Sequence, residues 1–249
     1  MTRPVESMPP TLVIGKEDLA ATAIPWTDHL EELRYRLWWC IGAALAGAAA
    51  ALVWAKPLLA WVVRPAGTVV FTAPQEALAV HVQLALAIGC VLAAPVIAYH
   101  AWQFAAVGLT DRERRLARQL VPWSAALFII GAAFGYGIVV PQMMHLFLSF
   151  SSAALQPMIS VRAYLEFVVW TVLGFGLAYE LPLAMWGLTR LGVVPANRWA
   201  QARPVAIVAI FVVAAVVTPP DVVSQCLLAV PLVGLYEIST WLSRWGAMR

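Results

Sequence analysis

Six apolar runs, several of them free of charge for nearly twenty residues, constrain this chain more than any other feature. They fall at residues 37–55, 77–104, 116–140, 164–191, 205–217 and 222–242. A spanning helix needs about 20 predominantly apolar residues. In hydrocarbon every backbone amide must find an internal partner, so such runs are helices or the strands of a closed barrel. The short alternating pattern of barrel strands does not occur here. Composition agrees: 62% of the 249 residues are hydrophobic and 12% charged, against about 45–50% and about 25% in soluble domains. The expectation is an all-α integral membrane protein, with six transmembrane helices in a curved, concave bundle. Residues 28–244 form one membrane domain. A Pro- and Thr-bearing flexible segment, 1–27, precedes it and a short tail, 245–249, follows. Residues 1–25 hold no compact apolar stretch, so no cleavable signal peptide is expected.

Placement of charge orients the spans. Arg3, Lys16, Arg34 and Arg36 precede span one, and Arg112, Arg114, Arg115 and Arg118 lie between spans two and three. Arg190, Arg198 and Arg203 lie between spans four and five, and Arg244 and Arg249 follow span six. Only Lys56, Arg64 and Arg162 fall on the other side. Basic residues mark the cytoplasmic side, so both termini are expected there.

Several chemistries find no support in the pattern. The motifs of metalloproteases, serine hydrolases and nucleotide-binding loops are missing, and His29, His81, His100 and His145 lack metal-ligand spacing. Cys40, Cys90 and Cys226 sit far apart inside apolar runs, and read as small buried hydrophobes. No enzyme, catalytic residue, metal site, cofactor or nucleic-acid partner is expected.

Four charges crowd the start of span one, in HLEELRYRLWW. Leu30, Leu33 and Leu37 make an apolar stripe, and Glu32 with Arg36 is an i, i+4 pair in the favourable order. Residues 28–36 therefore read as an amphipathic helix in the membrane interface, running into span one. Glu113, in GLTDRERR, places a second carboxylate on the same side. Two carboxylates at neighbouring helix ends can hold guanidinium groups, whose planar donors suit bidentate pairing.

Within the apolar runs, Glu180 stands out. A carboxyl at membrane depth is costly unless paired or hydrated, and marks a functional candidate. Asp221 reads as the cap of span six. The fifth run has only 13 residues, so spans five and six read as a short helical hairpin around TPPD. Pro95 and Pro122 are expected to kink their helices. Gly131, Gly135, Gly137, Gly174 and Gly176 are expected to let helices approach closely.

The order of motifs resembles one family. HLEELRYRL, TAPQE, APVIAYHAWQFAAVGLTDRERR, YELP, TPPDVVSQ and LYEIS are similar, in collinear order from about His29 to Arg244, to the signatures of TatC, the multispanning subunit of the twin-arginine protein translocase. The resemblance implies a receptor for twin-arginine signal peptides that exports folded proteins on the proton gradient, with no cofactor. It implies TatA- and TatB-type single-span partners, contact with membrane lipid, and assembly as a homo-oligomer in a receptor complex. By position it makes Glu113 the main carboxylate for the arginine pair, completed by Glu32, Arg34 and Phe104. It assigns Glu180, Thr218 and Gln225 to intramembrane partner docking, and Pro65, Glu76 and Asp221 to loop and cap structure. The sequence departs from the family pattern at Leu78, His100, Val107 and Thr110. Two rival readings are a proton-coupled small-molecule transporter using Glu180, and a membrane scaffold protein.

Overall fold

A computed structural model describes residues 26–105, 111–152, 157–218 and 221–247. The first helix, α1 (Trp26–Val53), is followed by a short helix, α2 (Ala55–Val62), and a 3₁₀ turn at Arg64–Ala66. Loop one carries β1 (Val69–Val70). The second span is a pair, α3 (Glu76–Leu92) and α4 (Ala94–Ala105), bent by 55°. Pro95 stands at the start of α4, where its missing N–H and ring close off continuation of α3. The third span joins α5 (Asp111–Phe134) to α6 (Val140–Ser149) through a π-helical turn at Gly135–Val139. Span four is α7 (Val161–Ala178) and α8 (Leu181–Arg190), preceded by β2 (Ile159–Ser160). A short helix, α9 (Ala196–Gln201), leads to α10 (Arg203–Val217) and the long α11 (Val222–Ala247).

Four of these segments are long and apolar enough to cross a membrane, the bent pair makes a fifth, and α10 is the short sixth. At about 1.5 Å per residue, α10 reaches only about 22 Å, short of a hydrocarbon core about 30 Å thick. The architecture among the described residues is an all-α bundle of four or five spanning segments with a short final hairpin of α10 and α11, which leaves the six-span count uncontradicted.

Several expectations are refined or corrected. Residues 28–36 run into span one without a break, as the first turns of one helix ending at Val53. The charged pair is held along that axis, and no breaker intervenes to bend it. Pro122 lies inside α5 without interrupting it, and span three carries a further irregularity at Gly135–Val139. Span three continues to Ser149 rather than stopping at residue 140, the π-helical turn at Gly135–Val139 accommodating Pro141 within the span. Span four is broken at Tyr179 and Glu180, just before Pro182. A Cβ added to Gly137 or Gly174 would meet nothing within 4 Å, so those two glycines do not mediate close approach. The three cysteines are free and only partly buried. Loops one and three also join through a small parallel pairing, Val69 with Ile159 and Val70 with Ser160, which the hydropathy pattern does not reveal.

Lipid tails are as apolar as leucine, so close van der Waals contact between helices carries much of the packing. Gly89 lies against α1 so tightly that a Cβ there would come within 2.6 Å of the Ala48 nitrogen. Gly131 meets span four, where a Cβ would approach Tyr179 Cβ to 2.7 Å. At the end holding loops one and three, here the loop end, Val80, Leu84, Val140, Leu165 and Val168 form one core. A second core joins Met143 and Phe175 to Ala214, Leu228 and Ala229 of the last hairpin. Span one is peripheral: only 11% of it is covered by protein, against 39% of span three.

Candidate binding sites at the arginine-rich end and in the concave cavity

The start of α1, the end of α4 and the start of α5 lie at the same, arginine-rich, end of the bundle. Helix α4 packs against both α1 and α5. Trp39 of α1 stacks on the His100 ring, centroids 6.5 Å apart, and fixes the α1–α4 seam. Glu32 is half-buried, and its Oε1 accepts from the Arg36 guanidinium, with Nε at 3.1 Å. The i, i+4 spacing brings the two together, and the charged ends reach polar surroundings from an otherwise apolar helix. Arg34 is exposed on α1, and Phe104 is half-buried in the last turn of α4. Glu113 lies in the first turn of α5, and its side chain is outside the described residues, as are Val107 and Thr110. The arrangement leaves one carboxylate, Glu32, already holding a guanidinium at the helix entrance.

The second site is a cavity of about 500 Å³ between the bent second span and spans three and four. Its walls are apolar, from Ala94, Ile97 and Trp102 of α4 to Phe128 of α5 and Leu177 and Leu188 of span four. Glu180 and Ser124 supply its polar chemistry. The buried Ser124 hydroxyl donates to Glu180 Oε2 at 2.6 Å. The break between α7 and α8 turns Glu180 toward the cavity, and the 55° bend at Ala93 opens space opposite. Ser124 is the partner that sequence reasoning missed. Its signal was present: Ser124, Gly131 and Gly135 recur at i, i+7, i+11 on the face of span three that meets span four.

Thr218 and Gln225 do not join Glu180. Thr218 is buried at the end of α10, its hydroxyl donating to the Ala214 carbonyl at 2.8 Å. It lines a separate crevice of about 470 Å³ with Phe147 and Trp170 at the loop end. Gln225 Nε2 donates to the Phe211 carbonyl at 2.9 Å, tying α11 to α10. Both side chains thus brace the hairpin through backbone oxygens.

The loop and cap residues have plain structural geometry. Thr72 donates to Glu76 twice, from its N–H at 2.8 Å and its hydroxyl at 2.7 Å, which closes loop one onto α3. Pro65 sits in the 3₁₀ turn. Asp221 Oδ1 accepts from the Ser224 N–H at 2.7 Å and caps α11. That bond favours the charged form, so the exposed carboxyl is held below its ordinary range. Two further anchors went unread in the sequence: the Tyr164 hydroxyl donates to the Val62 carbonyl, and that of Tyr136 to the Trp61 carbonyl, each at 2.8 Å.

Together these features define a polytopic helical membrane protein with an acid-bearing concave face and a carboxylate poised at the arginine-rich end. A family profile described as Sec-independent protein translocase protein (TatC) matches residues 28–231. The chain is 37% identical to the Sec-independent protein translocase protein TatC of Aquifex aeolicus, over 89% of this chain and 95% of that one. It is 37% identical to TatC of Desulforapulum autotrophicum, over 86% and 82%. A crystal structure of the twin arginine translocase receptor TatC superposes with a TM-score of 0.80, at 37% identity, covering 89% of this chain and all of the other. The chain belongs to the TatC family.

Proposed function

We propose that this protein is the receptor subunit of a twin-arginine translocase, set in a cytoplasmic membrane with both termini on the cytoplasmic side. The observation that carries the reading is the superposition on a twin arginine translocase receptor along nearly the whole chain. The charge asymmetry between the two ends supports the orientation. In this reading the protein is a transport component rather than an enzyme, and the proton gradient drives export of folded cargo. Its relatives do not favour the small-molecule carrier or the scaffold.

Glu113, Glu32, Arg34 and Phe104 receive the signal peptide's paired arginines at the arginine-rich end. The Glu32–Arg36 contact supports this, because a carboxylate that already accepts from a guanidinium can exchange it for a guest's. The exchange replaces one charged bond with another, so its cost is small and the guest's second arginine can decide the affinity. Glu180, Thr218 and Gln225 serve docking of TatA- and TatB-type partner spans. For Thr218 and Gln225 this service is indirect, through the shape of the hairpin. Homo-oligomerisation within the receptor complex belongs to the same reading.

Glu113→Ala tests it. Photocrosslinking of a twin-arginine peptide is expected to disappear while membrane insertion stays normal. Unchanged crosslinking would remove this carboxylate from the site.

A further inference from the structure

A trough of about 640 Å³ opens on the concave face at the loop end, between α3 and α7. Arg162 and Gln75 line its outer end, and Val82, Leu86 and Leu173 line it further in, with Gln83 level with Val82. Arg162 is exposed at the second residue of α7. Among the described residues no carboxylate bridges it. Glu76, on the neighbouring helix, gives both oxygens to Thr72, and Glu166, one turn along α7, lines the crevice on the other side. From Arg162 to Leu173 is eleven residues of α7, about 16 Å at 1.5 Å each, which matches half of a hydrocarbon core about 30 Å thick. The trough is thus one leaflet deep, with a guanidinium and an amide at its rim and walls below that are apolar except for Gln83.

We propose that this trough holds one glycerophospholipid of the leaflet at the loop end. Its phosphate sits on Arg162, whose planar donors suit phosphate oxygens. One acyl chain lies along Val82, Leu86 and Leu173. Cys90 and Leu173 line both this trough and the Glu180 cavity, so the end of the chain reaches the threshold of that cavity. A guest helix entering the concave face would have to displace it.

Native mass spectrometry of the full chain in detergent, titrated with dipalmitoyl phosphatidylglycerol, tests the proposal. One lipid per chain is expected to survive detergent stripping. Arg162→Ala should weaken its retention roughly tenfold or more, the size of a lost charged hydrogen bond. Leu86→Trp keeps the charge and fills the floor, and should weaken retention as well. Both positions are exposed, and circular dichroism checks that the variants remain folded. Inorganic phosphate, lacking a chain, should not compete. Retention in both variants equal to that of the unaltered chain would overturn the proposal, as would competition by phosphate at the lipid's own concentration. So would a photocrosslinker at Val82 in native membranes that captures peptide and no lipid.

Discussion

The loop end and the Glu180 cavity use polar groups in opposite ways. At the loop end, two tyrosine hydroxyls close on the backbone carbonyls of Trp61 and Val62, Glu76 is held twice by Thr72, and two loops pair as strands. Each of these bonds joins a side chain or loop to backbone or to its own turn, so none of these particular groups is free for a guest. In the cavity, a carboxyl and a hydroxyl bond each other inside apolar walls, and space remains beside them. The first pattern fixes a shape. The second holds polar capacity where an incoming segment can reach it, and a carboxyl retained at depth needs such a use to offset its cost.

The contrast is sharpest at Glu180. Glu180→Leu is expected to preserve or raise thermal stability while blocking most export, measured by a folded reporter reaching the far side. The Ser124 hydroxyl can turn back to a carbonyl of its own helix, so the loss of its partner does not unfold the bundle. Normal export in that variant would make the carboxyl structural and erase the distinction.

Helix contact comes next. Gly131→Ala should destabilise by about 1–3 kcal/mol, since overpacking forces a backbone shift against Tyr179. Gly174→Ala, with open space around it, should be neutral or slightly stabilising, by up to about 1 kcal/mol. Unfolding in mixed micelles measures both, and equal costs would contradict the packing described.

Tyr164→Phe probes the loop end. Tyr164 is 3% exposed, and loss of its bond should cost about 1–3 kcal/mol. Tyr136→Phe, at a half-buried ring, should cost about 0.5–1.5 kcal/mol. Export with either variant should track stability alone. A transport defect without destabilisation would show that this end also takes part in recognition.

The smallest effect concerns Asp221. Its carboxyl lies below the ordinary range because the Ser224 N–H bonds the charged form. The folded state thus binds the proton less readily than the unfolded chain. Its contribution is present above the unfolded value, about 3.9, and is lost as pH falls through the lower folded one. Asp221→Asn should lower stability slightly near neutrality and flatten the curve below about pH 4, where the two proteins converge. A loss of the same size at every pH would mean that the charge on the carboxyl is not the cause.

Much of this architecture was legible from local pattern. Hydropathy located all six membrane segments, and the i, i+4 spacing of Glu32 and Arg36 gave their contact. Pro95 marked the bend in span two, and Asp221 read as a cap because capping is a matter of three residues. What failed were judgements about neighbours far along the chain. Gly131 and Gly174 look alike in sequence, yet one faces a helix and the other open space. Pro122 and Pro95 look alike too, yet only the second stands at a break.

The sequence alone determined that the chain is a helical membrane protein, which end carries its arginines, and which carboxyl would be stranded at depth. Those properties follow from burying apolar length and satisfying backbone bonds within a segment. Tertiary structure alone decided what the polar groups that reach across the bundle meet. Ser124 reaches Glu180 across 56 residues, Tyr136 reaches Trp61 across 75, and Tyr164 reaches Val62 across 102. Such partners are set by how whole helices pack, and no local period in the sequence encodes them.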